Sequence, residues 1–266
     1  MGTERSSSLA VHQAGPFTRA TGLYDVSVVL PTYNERENIV RFIPEIAQAF
    51  QADQWEILVV DDCSPDGTGE AVTRLTDTYP TLRLITKPRR EGIGAALRVG
   101  YNHARGEIIV SSDADLSFGA EDLRRLVEAV RQESDLVVGS RHVSAASYEA
   151  SAWRVRWKRW VSRRGNAVLR WIFGIPIHDF SANCRAIRAS AWRQIHTQEN
   201  TNTLLLEMIL RCYYGGFRVR EKAVTFKERR YGASKLRLSI EAPKFLLKMM
   251  KYRWQFRRGI QRNRSA

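Results

Sequence analysis

The sequence predicts an α/β protein built around a mostly parallel sheet, and three observations carry that prediction. Between residues 25 and 141, short apolar runs of strand type alternate five times with polar loops and segments of helical periodicity. That alternation is the mark of βαβ units with helices on both faces of a sheet. Four of the runs end in polar loops at 31–35, 61–68, 113–115 and 140–141, and open parallel sheets bind ligands beyond the carboxyl ends of their strands. Finally, 266 residues with 44% hydrophobic content suffice for one large domain with a buried core.

Residues 1–24, rich in small and polar types without periodicity, are expected to form a mostly disordered leader. The first strand is Val26 to Leu30, with Pro31 expected to stop it. The loop Pro31-Thr32-Tyr33-Asn34-Glu35 leads into a helix whose apolar stripe is Ile39, Phe42, Ile43, Ile46 and Phe50. The second strand, Glu56 to Val60, runs into Asp61-Asp62-Cys63-Ser64-Pro65-Asp66-Gly67-Thr68. This strand-to-helix turn reads either as a pocket lip for a base, ribose or phosphate, or as a helix cap built on Asp66 or Thr68. Leu82 to Ile85 is the third strand. Gly92-Ile93-Gly94-Ala95-Ala96 opens a helix whose small residues are expected to pack close to the sheet. It lacks the third glycine and the following acid of a dinucleotide fingerprint.

The fourth strand, Glu107 to Ser112, delivers Asp113 and Asp115. In an extended segment residues i and i+2 project to one side, so the two carboxylates repel each other unless a cation lies between them. A hard divalent ion with oxygen ligands, Mg²⁺ or Mn²⁺, bound in turn to a phosphate-bearing substrate, fits that need. Taken alone, such a pair reads as a solvated turn; its place at a strand end favours the metal. A helix over 120–133 and a fifth strand over 135–139 then lead to Ser140-Arg141.

Beyond residue 150 the character changes. Residues 1–150 hold 15 Lys and Arg against 22 Asp and Glu, whereas residues 151–266 hold 27 against 6. A half with net charge +21 suits an anionic surface. Trp153, Trp157, Trp160 and Val161 recur at helical spacing among Arg154, Arg156, Lys158, Arg159, Arg163 and Arg164. That helix, about 151–172, reads as lying in a membrane interface or as docked on the sheet with a solvated basic face. A further helix is expected over Thr203 to Tyr214, its Glu207 either facing the site or pairing with an Arg. A strand follows from Gly216 to Phe226, and then the basic, glycine-containing stretch 227–235, suited to gripping a pyrophosphate. Residues 239–264 read as a second basic amphipathic helix suited to lie on an anionic bilayer. No run of about 18 apolar residues exists. The three cysteines are far apart without metal-site spacing, which points to a reducing, cytoplasmic compartment.

Taken as an ordered set, Val-Val-Leu-Pro-Thr-Tyr-Asn-Glu (28–35), Val-Val-Asp-Asp-Cys-Ser-Pro-Asp-Gly-Thr (59–68), Asp-Ala-Asp-Leu (113–116), Gly-Ser-Arg (139–141) and Gly-Ala-Ser-Lys (232–235) resemble the family 2 inverting glycosyltransferases. Within that family they resemble most the polyprenyl-phosphate sugar synthases of the dolichol-phosphate mannose synthase type. The resemblance implies a GT-A nucleotide-sugar fold over 25–237, followed by a basic amphipathic helix and tail over 238–266. It implies a nucleotide pocket lined by Pro31, Tyr33, Glu35, Val60 and Asp62. Asp113 and Asp115 would hold the metal, and Asp113, Ala114, Asp115 and Ser117 would border the diphosphate. Arg141, Arg229 and Lys235 would grip phosphates, with Asp115, Arg229 and Lys235 carrying catalysis. The implied donor is a nucleotide sugar, GDP-mannose by default or a UDP-sugar. The implied acceptor is a polyprenyl phosphate, met at the cytoplasmic face of a membrane; a soluble acceptor is the alternative. Nucleic acid is not an expected partner, because it leaves the ordered carboxylates unexplained. Two positions depart from the pattern. Ser117 stands where relatives usually have Gln, and Asp179-Phe180-Ser181-Ala182-Asn183-Cys184-Arg185 stands where they usually read Asp-x-x-Ser-Gly-Phe-Arg.

Overall fold

The computed structural model describes residues 10–12, 23–149, 153–227 and 238–256. The elements are, in order, β1 (Ala10–His12), β2 (Tyr24–Thr32), α1 (Arg36–Ala49), β3 (Trp55–Asp61), α2 (Thr68–Leu75), β4 (Leu82–Thr86), α3 (Ile93–His103), β5 (Gly106–Ser111), α4 (Ala120–Glu133), β6 (Leu136–Ser140), β7 (Ser147–Glu149), α5 (Trp153–Phe173), β8 (Arg185–Arg188), α6 (Ala189–Trp192), α7 (Thr203–Tyr214), β9 (Val219–Ala223), β10 (Thr225–Lys227) and α8 (Leu238–Gln255).

Eight strands form one sheet in the order β1-β4-β3-β2-β5-β8-β6-β9. β2, β3, β4 and β5 are parallel. β8 is inserted antiparallel between β5 and β6, which restores β6 and β9 to the common direction. β2 lies inside the sheet, with the chain moving one way to β3 and β4 and then crossing back to β5. Strand order reverses between β2 and β5, and a crevice opens at such a switch point.

Alternate residues of the strands feed two cores. Val28, Leu30, Ile57, Val59 and Val110 pack with Ile39, Phe42, Ile43 and Ile46 of α1 and with Leu123 and Val127 of α4. Val29, Leu58, Val60 and Ile109 pack with α3, α6 and α7 on the other face. The strands are therefore apolar on both faces, as in sheets covered on both sides.

Several sequence expectations need correction. Within the leader, Ala10–His12 pairs antiparallel with β4. Pro31 does not stop the first strand, which continues to Thr32 with Pro31 opposite Val60. β2 pairs with β5 only as far as Val29 and Ser111, so the position lacking an N–H falls where that neighbour has ended. The small residues of α3 divide their work. Gly92 and Gly94 approach the backbone of Asn200 and Thr201, and Gly100 is the residue pressed on the sheet, against Val29. The segment 216–226 is two strands, β9 and β10, and β10 pairs in parallel with β7 as a separate two-stranded ribbon.

Candidate active site

Several loops meet at one end of the sheet. Those after β2, β3, β5 and β6 leave the carboxyl ends of parallel strands. The loop before antiparallel β8 enters at the same end, with Ser111 opposite Arg185.

The loop after β2 is held by the loop after β3. Asn34, with φ 57, donates its N–H to Ser64 Oγ at 2.9 Å, and Glu35 donates its N–H to Thr68 Oγ1 at 3.1 Å. Thr68 Oγ1 in turn donates to Asp66 at 2.6 Å. Asp66 also accepts the Thr68 N–H at 3.0 Å, but the cap position of α2 is Gly67, with φ 83, and no side chain caps the helix, so neither Asp66 nor Thr68 is the cap expected from the sequence. Asn38 donates to Glu35 at 2.7 Å, and the Arg90 guanidinium lies 3.9 Å over the Tyr33 ring. Pro31 is buried, as is Val60.

Asp62 is nearly buried and its oxygens serve the protein. Oδ1 accepts Lys87 Nζ at 2.5 Å and the Glu91 N–H at 3.0 Å, and Oδ2 accepts the Gly92 N–H at 2.8 Å. Lys87 is 1% exposed and also reaches Glu91 at 3.2 Å, a contact that, with Arg89, holds the Glu91 carboxyl below the usual range. Asp62 thus clamps the 87–92 segment, which carries Arg90 over Tyr33. Sequence reasoning missed Lys87, Arg90 and Glu91. The available signal was a charged stretch directly after a parallel strand.

The Asp-x-Asp pair needs a correction. β5 ends at Ser111, and Asp113 to Leu116 form a turn in which Leu116 has φ 64. The carboxylates do not project from one face of an extended strand. Asp115, 6% exposed, accepts the Ser117 N–H on Oδ1 at 3.0 Å, and Asp113 Oδ1 accepts Asn183 Nδ2 at 3.0 Å. Ala114 is buried. Ser117 C=O accepts the N–H of Lys227 at 2.9 Å, tying β10 to this turn. Arg229 and Lys235 lie outside the described residues.

Arg141 forms a bidentate pair with the fully buried Asp179, Nε to Oδ2 at 2.7 Å and Nη2 to Oδ1 at 2.9 Å, and donates to Ser181 Oγ at 2.8 Å. Burial alone would raise the Asp179 carboxyl; the Arg141 charge and hydrogen bonds outweigh it and bring it down to about 2. Burial lowers the neighbouring His142 imidazole, against the pull of Asp179. Glu207 does not face the site: it pairs with Arg211 at 2.8 Å and accepts the N–H groups of Gln198 and Glu199.

The donor set suits a hard divalent ion. Among the described residues no group of three or more His, Cys, Asp and Glu side chains could hold a metal. Mg²⁺ or Mn²⁺ needs no such cage, because water and substrate phosphate complete its shell around one or two carboxylates.

A doubly covered sheet with its polar loops gathered beyond the switch point, and an Asp-x-Asp turn among them, defines an α/β enzyme fold with its ligand site at the carboxyl ends of the strands. The description "Glycosyl transferase family 2" matches residues 27–195, and the chain belongs to that family. It is 35% identical over 216 residues to the polyprenol monophosphomannose synthase of Mycolicibacterium smegmatis, covering 79% of this chain and 80% of that protein. It is 32% identical to the dolichol-phosphate mannosyltransferase of Pyrococcus furiosus, covering 80% of this chain and 59% of that longer protein. Similar folds include glucosyl-3-phosphoglycerate synthase from Mycobacterium tuberculosis, solved with Mn²⁺, UDP and glucosyl-3-phosphoglycerate. Its TM-score is 0.64 at 19% identity, over 86% of this chain and 80% of that one. A mannosyltransferase from Pyrobaculum calidifontis, solved with GDP-Man and Mn²⁺, has a TM-score of 0.55 at 24% identity, over 83% of this chain and 62% of that one.

Proposed function

We propose that this glycosyltransferase moves mannose from GDP-mannose to the phosphate of a polyprenyl lipid at a membrane surface, inverting the anomeric carbon. The observation that carries the reading is the gathering of the 31–35, 61–68, 113–117 and 179–185 segments at one end of the sheet, in a chain about one-third identical to enzymes named for that transfer.

Pro31, Tyr33, Glu35 and Val60 would border the nucleoside, and Asp62, its oxygens taken by Lys87, Glu91 and Gly92, would shape that pocket by holding the 87–92 segment. Asp113 and Asp115 would hold Mg²⁺ or Mn²⁺, which neutralises charge on a nucleoside diphosphate when bound. Ala114 and Ser117 border that turn, and Arg141, Arg229 and Lys235 would bind phosphate oxygens. The acceptor phosphate is ionised near neutral pH, so its oxygen attacks without a strong general base. One bond forms between that oxygen and the anomeric carbon. The bond from that carbon to the donor diphosphate breaks, and the electron pair leaves with the nucleoside diphosphate.

The bilayer part of the reading is supported by the basic half and by large apolar side chains left exposed on α5 and α8. These are Trp157, Trp160, Val161, Val168 and Trp171 on α5, and Leu247, Met250 and Trp254 on α8. Among the described residues no helix is long and apolar enough to cross a membrane. The reading places the chain peripherally, at the cytoplasmic face.

The test is product release from a panel of GDP- and UDP-sugars, with Mg²⁺ or Mn²⁺ and a polyprenyl phosphate in detergent. GDP release from GDP-mannose that needs both metal and lipid is the expected result. Turnover of a UDP-sugar only, or turnover indifferent to the lipid, replaces the donor or the acceptor. Asp115→Asn is expected to cut turnover at least about 100-fold, the scale of losing a charge-stabilising group; near-wild-type transfer in that variant overturns the site.

A further inference from the structure

Asn183 occupies a position for which the sequence offers no function, and the structure places it between the sheet and the Asp-x-Asp turn. It is 2% exposed. Its Nδ2 lies 3.0 Å from Asp113 Oδ1, and its Oδ1 lies 2.8 Å from Ser111 Oγ. Ser111 Oγ is 2.7 Å from the hydroxyl of Tyr101. Ser111 is fully buried and Tyr101 is 2% exposed.

The chemistry of the end group orders the protons along this chain. An ionised carboxylate only accepts, so the amide nitrogen of Asn183 must face Asp113. The amide oxygen then faces Ser111, which must donate to it, and Tyr101 must donate to Ser111. Three donors therefore point one way, toward Asp113. Each sits on a different element: Tyr101 on α3, Ser111 at the end of β5 and Asn183 just before β8. The alignment exists because β8 starts opposite the last residue of β5.

We propose that Asn183, oriented by Ser111 and Tyr101, is a positioning residue that aims the Asp113 carboxylate at the metal. This rests on Asp113 as a metal-holding group. Carboxylates that ligate metals are commonly held by such outer hydrogen bonds, and losing one costs about 10- to 100-fold in metal affinity or activity. A glycine at position 183 would leave Asp113 without this bond.

The test is Mn²⁺ binding to the full chain, followed by the electron paramagnetic resonance signal of free Mn²⁺, alone and with GDP or UDP. Wild type, Asp113→Asn, Asn183→Ala, Ser111→Ala and Tyr101→Phe are compared, each checked by thermal unfolding. The expected result is an affinity loss of about tenfold in Asn183→Ala, a smaller loss in Ser111→Ala and the smallest in Tyr101→Phe. A merely structural role would lower the unfolding temperature without moving the affinity of the folded protein. Unchanged affinity in Asn183→Ala beside a weakened Asp113→Asn overturns the positioning role alone. Unchanged affinity in Asp113→Asn overturns the metal site, and the inference with it. If Asn183→Ala does not fold, Ser111→Ala decides: unchanged Mn²⁺ affinity there overturns the proposal.

Discussion

At Asp179 two opposing effects meet in one carboxyl. Burial pushes its pKa up and Arg141 brings it down to about 2, below the 3.8 of the unfolded reference. A depressed folded value means that the stabilisation is complete above about pH 4 and is lost as pH falls toward 2. In Arg141→Leu the opposing guanidinium is gone, and His142 with the Ser181 and Ala182 hydrogen bonds still offsets part of the burial, so the variant's deficit relative to wild type should be largest near neutrality and shrink toward acid. Urea unfolding at pH 2 to 7 measures this, and a deficit independent of pH would refute it. Glu56 poses the converse problem. Its carboxylate, fully buried, pairs with Arg83 at 2.9 Å and accepts Ser27 Oγ and the Arg105 N–H, both at 2.6 Å. Arg83 is itself 1% exposed. Glu56→Ala strands that guanidinium and should cost about 3–5 kcal/mol in denaturant unfolding.

Among the elements, α3 sits so close to the sheet that one position admits no side chain. A Cβ at Gly100 would come 2.4 Å from Val29 Cγ1 and 3.1 Å from Val60 Cγ2. Gly→Ala inside a helix ordinarily gains about 1 kcal/mol. Here crowding of the core should reverse the sign, to a net loss of at least about 1 kcal/mol in thermal unfolding; a stabilised variant would show that α3 can shift. α8, expected as a basic amphipathic helix, divides its apolar residues between a docked side and an exposed one. Met249 and Tyr252 are buried, Tyr214 and Phe256 stack at 5.2 Å, and Arg253 donates to Ile172 C=O at 3.0 Å. Met250 and Trp254 remain exposed. The helix thus docks on α5 and α7 through one side and leaves apolar groups on another.

Across the whole molecule, an acidic portion carrying the candidate nucleotide site is joined to a basic portion carrying exposed tryptophans. Trp171 and Trp254 are each about 70% exposed, so replacing both by Ala should leave the protein folded. The same change should reduce co-sedimentation with anionic vesicles, and salt should weaken binding further. Equal sedimentation of variant and wild type would remove these side chains from the bilayer reading.

What the sequence by itself determined is whatever depends on local pattern. The α7 bounds expected from apolar spacing, Thr203 to Tyr214, are those observed, and β2 to β6 follow the apolar runs because each is buried on both faces. The ordered motifs between residues 28 and 141 named the family for the same reason: they are short, contiguous and tied to strand ends. Only the tertiary structure decided the rest. Pro31 is tolerated within β2 because its neighbour β5 has already ended, a fact of pairing invisible in the strand itself. The partners of Asp62, Asp113 and Arg141 lie 25, 70 and 38 residues away. Such contacts leave no periodicity behind, since they arise where the crossover α3 and the antiparallel β8 bring distant segments to one end of the sheet.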